Sequence, residues 1–308
     1  MGCSCTTEYG NTGLPIRTVI EGVTHSFMLM PTYKEDGVTL NKIDLSSLTL
    51  GADIIALTSA STPATERLYP LPKMENVTKE KTETVFETSP SNKKYRIRDG
   101  VRTNRGEFWD DATPFQFLAE LQKFGCVDMS YFRIDICGNI IGYKNDADST
   151  DEYPIPLDKS SYDAMMIFAT DTTVQKLALE FEMEANFDES KFWIITTTDL
   201  GYNATTLRGL LTGNGSISNI TATSADLTLV TNYGDAVTLD KVVGLAPTAF
   251  ALWNDVTGTP VSVAIVSADE ISDGVYQLVY VAQVASDPMR VEITATGFDF
   301  ADVTYLAV

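Results

Sequence analysis

Apolar and polar residues alternate with a period of two over much of this chain, the pattern of strands that bury one face. The most regular stretch runs from Thr173 to Glu184. Leu177, Leu179, Phe181 and Met183 fall on one side, and Ala178, Glu180, Glu182 and Glu184 on the other. Phe132, Ile134 and Ile136 alternate with Arg133 and Asp135, which predicts a strand with one face in the core. Gly138 and Asn139 supply a turn, and Ile140–Tyr143 returns. Thr82–Thr88 and Lys94–Arg98 read as paired strands around a turn at Ser89–Asn92, their β-branched and aromatic residues favouring extended backbone. His25–Met30, closed by Pro31, Ala164–Ala169 and Phe192–Ile195 are further strands.

One segment follows a helical period instead. Thr113 can cap it, Pro114 suits its first turn, and Gln116 stands three residues past the cap. Phe117, Leu121 and Phe124 share one side, Phe115, Leu118 and Ala119 widen the stripe, and Gly125 ends it. The helix at 114–124 is therefore expected to cover a sheet. Residues 30–80 follow neither period. Lys34–Gly37 signals a turn, Ile54–Leu57 is a short apolar run, and Ser59–Pro63 with Pro70–Pro72 reads as an extended connector. A stretch this long is either an arm that reaches a neighbour or a set of short elements too brief to show a period.

The texture changes near residue 210. Thr212–Ser216 has the composition of a linker, and from 211 onward only Lys241 and Arg290 are basic. Runs such as Leu227–Val230, Val261–Val266 and Val275–Val281 predict short strands, which in a segment of this size suggest an immunoglobulin-like β-sandwich. It holds no cysteine and a single tryptophan, Trp253, so a disulfide-pinned immunoglobulin domain is excluded. The expected division is an assembly domain over 1–210 and a β-sandwich over 211–308. A chain of 308 residues is long enough for two cores.

Charge narrows the possible partners. With 42 acidic residues against 22 Lys and Arg, the net charge is −20, and such a surface repels nucleic-acid phosphates at long range. The one basic concentration is Lys93, Lys94, Arg96, Arg98, Arg102 and Arg105, interrupted or followed by Asp99, Glu107, Asp110 and Asp111. It reads as a strand edge beside acidic neighbours and as a candidate subunit interface.

Sites for catalysis are sparse. Cys3, Cys5, Cys126 and Cys137 form no metal or disulfide pattern, and one histidine, His25, leaves a zinc site short of ligands. His25 has no nucleophile or carboxylate beside it in sequence. The acidic loop at Asp146, Asp148 and Asp151 fails the EF-hand spacing, because Asp151 and Leu157 stand where that loop needs glycine and glutamate. No nucleophile elbow, phosphate loop, dinucleotide fingerprint or zincin motif occurs. No enzyme activity, cofactor or metal is expected. The first 30 residues lack a basic stretch followed by a long apolar run, and no apolar run is long enough to span a membrane, so neither a secretory leader nor a span is expected. Gly2–Thr6 loosely fits a myristoylation pattern, and Asn76, Asn203, Asn214 and Asn219 begin glycosylation patterns that a Thr-rich chain produces by chance.

The middle of the chain resembles the major tail (tube) proteins of tailed bacteriophages in the order of its elements. Glu83–Thr88, Lys94–Thr103, the helix at 114–124 and Phe132–Gly142 carry the likeness. Such proteins have a β-sandwich with a flanking helix, extend arms to neighbouring subunits and stack as rings around a DNA channel. Many carry an extra immunoglobulin-like domain outside. The resemblance implies a mainly β chain: a tail-tube-like β-sandwich with one flanking helix, then a C-terminal immunoglobulin-like β-sandwich. Residues 30–80 would be an arm. Its partners would be copies of itself in rings, other virion proteins, and double-stranded DNA that passes without specific binding. Its place would be the virion tail, assembled in the host cytoplasm. Glu180, Glu182 and Glu184 are the candidate channel lining, since a negative wall lets phosphates slide; the plainer alternative is the wet side of a sheet. Three other readings stay open: another virion component (capsid decoration, connector or baseplate), a binding module or adhesin, and an acidic β-rich hydrolase.

Overall fold

The computed structural model describes residues 21–47, 49–98, 100–109, 115–146, 149–234, 239–256 and 258–308. The expectations placed on Cys3, Cys5, the Gly2–Thr6 pattern, Asp99, Asp110, Asp111, Thr113, Pro114 and Asp148 lie outside them. The chain is mainly β, in several sheets, with a few short helices. It opens with β1 (Thr24–Pro31), β2 (Ile43–Asp44), helix α1 (Leu50–Leu57), β3 (Tyr69–Pro70), β4 (Glu75–Lys81), β5 (Val85–Thr88), β6 (Lys94–Arg98) and β7 (Arg102–Phe108). Helix α2 (Phe115–Phe124) is followed by β8 (Met129–Asp135), β9 (Ile140–Tyr143), β10 (Asp151–Glu152), β11 (Ile155–Ile167), β12 (Lys176–Met183), β13 (Phe192–Ile195) and α3 (Thr197–Leu200). Beyond them come β14 (Leu211–Ser218), β15 (Ser224–Gly234), β16 (Leu239–Lys241), β17 (Phe250–Asn254) and β18 (Val261–Val263). β19 (Ile265–Ser272), β20 (Val275–Tyr280), β21 (Pro288–Ile293), β22 (Phe298–Phe300) and β23 (Val303–Leu306) complete the chain.

A nine-stranded antiparallel sheet runs β13-β9-β8-β11-β12-β7-β4, with β1 beside β8 and β3 beside β1. Its shape is set in β11. Ile155 and Pro156 pair with β8, Leu157 and Asp158 pair with Met183 and Glu182, and the ladder then skips to Asp163 opposite Glu180. Residues 159–162 form a bulge, which bends a strand and sharpens its twist. Ser161 repairs the interrupted ladder: its hydroxyl accepts from the Glu182 amide at 2.7 Å and donates to the Asp158 carbonyl at 2.6 Å. In a flat sheet β1 and β12 would stand about 14 Å apart, three strand spacings. Instead Phe27 of β1 and Phe181 of β12 meet at 5.1 Å between ring centroids, and Tyr131 of β8 joins them at 5.8 and 4.8 Å. The sheet has curled onto its own apolar face. Helix α2 covers that core as expected: Leu121 is buried, Phe117 packs edge-on against Phe108 at 5.3 Å, and Tyr162 of the bulge donates to the Leu121 carbonyl.

Two expectations are corrected here. Residues 30–80 do not reach outward; Ile43, Leu50, Ile54, Leu68, Leu71 and Met74 are all buried, in clusters with β1 and β8. They were the short elements rather than the arm. Nor does β8 bury only one face, because Arg133 and Asp135 are as buried as their apolar neighbours, while Ile136 is exposed. Arg133 lies over the Phe192 ring at 4.7 Å and pairs with Glu21 at 3.4 Å. Asp135 accepts from the amides of Gly22, Cys137 and Asn139 and from the Asn139 side chain. Both charges are tolerated inside because both are partnered.

After residue 210 a six-stranded sheet, β19-β20-β15-β14-β22 with β16 on β15, and a four-stranded sheet, β18-β17-β21-β23, share one core. Leu227, Leu229, Tyr276 and Leu278 enter it from the first sheet, and Leu252, Met289 and Val291 from the second. The segment that read as a linker is strand β14. Its glycines serve packing: a Cβ on Gly213 would lie 2.2 Å from the Phe300 ring, so only glycine admits that close approach. Arg67 ties the two parts of the chain together. Its side chain, 7% exposed, bonds to the Ala60 and Thr62 carbonyls and to Asp299 at 2.5 Å.

Gly213→Ala is expected to lower stability by about 1–3 kcal/mol, the range of an overpacked core, in urea unfolding; an unchanged midpoint would contradict the packing described. Glu152 generates a second expectation. It is fully buried, neither carboxyl oxygen has a hydrogen-bond partner among the described residues, and burial holds its pKa well above the carboxylate range against the weaker pull of the Gly142 amide and Lys144. A pKa raised by folding contributes stability at low pH that is lost as pH rises through the folded value. Glu152→Gln should therefore match the parent in acid and exceed it increasingly toward alkaline pH. Parallel stability profiles for the two proteins would refute this.

Candidate functional site

Period two and the curl of the sheet place one polar face outward. Because Leu177, Leu179, Phe181, Met183 and Phe108 point into the core, Glu180 and Glu182 of β12 and Thr103, Arg105 and Glu107 of β7 point away from it. Glu180 stands between Arg105 and Asp163, and Glu182 between Thr103 and Asp158. Glu80 of β4 lies opposite Thr103 and extends the face. Glu184 follows the end of β12 and is exposed. The structure thus brings the three predicted glutamates to one side and adds Glu80, Asp158 and Asp163. Nothing in the local sequence marks those three, since only cross-strand register assembles them.

The far end of this face is neutralised. Glu107 accepts from Lys176, Asn76 and Trp109, each at 2.8 Å. Burial alone would raise its pKa, but these hydrogen bonds hold it below the usual value. Lys176 also sits over the Trp109 ring at 4.4 Å. Arg105 reaches toward Glu107 at 3.7 Å and Glu180 at 3.6 Å, loose contacts at a partly exposed site. The remainder of the face is acidic and wet.

The hairpin β5–β6 is the second feature. Its two strands pair with each other and with no other strand among the described residues. At its base the Thr82 and Val101 amides bond across, and a Cβ on Gly100 would meet the Thr82 carbonyl at 1.7 Å. At its tip Asn92 adopts φ 59°, a left-handed turn conformation that asparagine tolerates. Between base and tip Val85, Phe86, Tyr95 and Ile97 are 37–60% exposed. The sequence reading had the strands and the turn correctly, but not that the hairpin stands clear of the body.

The six predicted basic residues divide accordingly. Lys93, Lys94 and Arg96 are exposed on the hairpin, and Arg98 ends its second strand. Arg102 and Arg105 belong to the sheet: Arg102 holds Glu189 at 2.9 Å together with the Lys79 carbonyl, and Arg105 faces the acids named above. The set is a basic arm and two internally paired arginines rather than one patch.

Other candidates do not gather into a site. His25 meets the Ser26 hydroxyl at 3.2 Å, and Cys126 and Cys137 are exposed and free. Among the described residues no group of His, Cys, Asp or Glu is arranged to hold a metal, and no helix is long and apolar enough to cross a membrane. Asp151 pairs with Lys42 at 2.7 Å and joins β10 rather than an ion-binding loop. No protein-family model matches the chain, and no curated protein matches it significantly.

Glu107→Ala would leave Lys176 in place, with 14% of its side chain exposed and its carboxylate gone. Removing one partner of a buried pair costs about 3 kcal/mol or more, so the variant should unfold at clearly lower urea concentration. Glu107→Ala combined with Lys176→Met should recover part of the loss; equal loss in both would show that Lys176 carries no penalty once its partner is gone.

Proposed function

We propose that this chain is a non-enzymatic structural subunit that assembles with copies of itself, in the form of stacked rings of a phage tail tube around a DNA channel. The observation that carries this reading is the hairpin β5–β6. A two-stranded ribbon is marginal by itself in water, and this one presents Val85, Phe86, Tyr95 and Ile97 to solvent without a covering element among the described residues. Apolar side chains gathered on a projection are what a contact surface looks like before contact. The outward face of Glu80, Asp158, Asp163, Glu180, Glu182 and Glu184 supports the tube form, since a wall of this sign would keep passing phosphates from sticking. The two sheets sharing a core after residue 210 support an outward immunoglobulin-like β-sandwich. The curled sheet under α2 supports a tube-like assembly domain over 1–210.

The hairpin equally favours a second reading within the same class: another virion component, a capsid decoration, connector or baseplate part, in which the same arm clasps a neighbour in a different geometry.

Negative-stain microscopy and sedimentation velocity of the full chain, concentrated and at raised salt to screen subunit repulsion, test the proposal. Tubes with a stain-filled lumen are expected, and Phe86→Ser/Tyr95→Ser/Ile97→Ser should remain monomeric with an unchanged circular dichroism spectrum. Closed rings that never stack would move the chain to a connector or baseplate position. Monomers at every concentration and salt would overturn self-assembly.

A further inference from the structure

A cavity of about 590 Å³ lies where the strands after residue 210 meet the first part of the chain. That is the size of small-molecule sites, which favour such junctions. Phe108 and Phe117 line it from one side, and Leu210, Leu211, Tyr233 and Phe298 from the other. Three cations share the same lining: Lys73, Arg208 and Lys241.

Most of the described cations have a carboxylate partner, and two of these three, Arg208 and Lys241, do not. In a chain with 42 acids and 22 Lys and Arg, a carboxylate near each cation is the ordinary case. Arg290, the other basic residue after position 210, is held by Asp255, Glu292 and Asp302. Arg67, Arg102, Arg105, Arg133 and Lys176 are likewise paired. Among the described residues Arg208 donates only to the carbonyls of Thr205 and Leu207, both at 3.0 Å, and Lys241 has no carboxylate partner. Lys73 has only Glu75, at 3.1 Å with both side chains more than half exposed, a pair of small worth. Among the described residues Asp240 is the one acid on the lining. The nearby His25 senses the same field: burial lowers its pKa first, and Lys73 and Arg208 lower it further.

We infer that this cleft is a binding site for a small amphipathic anion, an aromatic or short alkyl body that bears a carboxylate, sulfonate or phosphate. The apolar body packs against Phe108, Phe117 and Phe298, and the anionic group lies among Arg208, Lys241 and Lys73. A neutral apolar molecule would leave those cations facing it without an anion, and a hydrated inorganic anion would leave the aromatic wall unused. The site does not depend on how copies of the chain assemble.

The test is a titration of the full chain with 8-anilinonaphthalene-1-sulfonate, read by fluorescence and calorimetry, beside the neutral dye Nile red. One saturable site is expected, weakened by salt and displaced by decanoate. Arg208→Gln/Lys241→Gln should raise the apparent Kd about tenfold, as the loss of charge-assisted contacts does. Lys93→Gln/Lys94→Gln and the hairpin triple variant should bind as the parent does. Circular dichroism of each variant confirms that it folds. Absence of saturable binding, equal affinity of parent and Arg208→Gln/Lys241→Gln, or loss of the signal in the hairpin variant would each overturn the assignment.

Discussion

The bulge at residues 159–162 is the constraint on which the first part of the structure depends. It interrupts the β11–β12 ladder between Asp158 and Asp163, and the bend that follows lets Phe27, Tyr131 and Phe181 share one core. An unrepaired gap in a ladder leaves backbone groups without partners, which is costly when they are shielded from water. The Ser161 hydroxyl removes that cost by bridging Glu182 and Asp158. The closure also buries the Tyr131 phenol, whose oxygen is satisfied by Asn104 at 3.0 Å and whose pKa is pushed up to about 12, chiefly by burial. Sheet, bulge and helix therefore stand or fall together, because Tyr162 of the bulge is also the residue that hydrogen-bonds α2.

Curling the sheet decides what its other face must be. Once the apolar side is closed on itself, Thr103 and Arg105 of β7 and Glu180 and Glu182 of β12 are turned away from it. There Glu180 stands across from Asp163, and Glu182 from Asp158. Like charges directly opposite on neighbouring strands oppose folding, and Arg105 offsets only part of this through contacts beyond 3.5 Å. A sheet selected for stability alone would alternate signs here, as the Lys79–Glu21 and Arg102–Glu189 pairs do nearby. These pairings therefore run against local stability.

The chain disclosed its strands better than their surroundings. β12 was legible because one flank is core and the other is not, so the period survives in sequence. α2 was legible for the same reason at a period of 3.6. β8 misled because Arg133 and Asp135 look like a wet face, while the partners that seat them inside include Glu21 and Gly22, more than a hundred positions away, and the turn at Cys137–Asn139. Residues 30–80 misled because α1, β2 and β3 span a turn or two each, too short to repeat a period, although Ile54 and Leu68 are as buried as any strand residue. Gly213 and Gly215 carried the composition of a linker, but there the missing side chains make room for Phe300 and Val303. For the candidate site, sequence supplied Glu180 and Glu182 of β12, Glu184 just past its end, and the hairpin's two strands. Which acids join them across the ladder, and which arginines are already paired, are facts of register.

The hairpin and the acidic face place different demands on a neighbour, and that asymmetry shapes the assembly reading. Two copies meeting through their acidic faces would repel, so that face is left for solvent or a lumen. On the hairpin apolar side chains and exposed cations coincide, Phe86, Tyr95 and Ile97 beside Lys93 and Lys94. Under the assembly reading its complement is an acidic surface on the next copy, and a chain of net charge −20 offers many. Such a contact joins unlike surfaces, arm to body. Contacts of that kind propagate around a ring when the rotation closes and along a filament when it does not. A ring joined in this way could keep its acidic faces inward without any two of them pressed together, which is how one chain can be self-adhesive through its arm and self-repellent everywhere else.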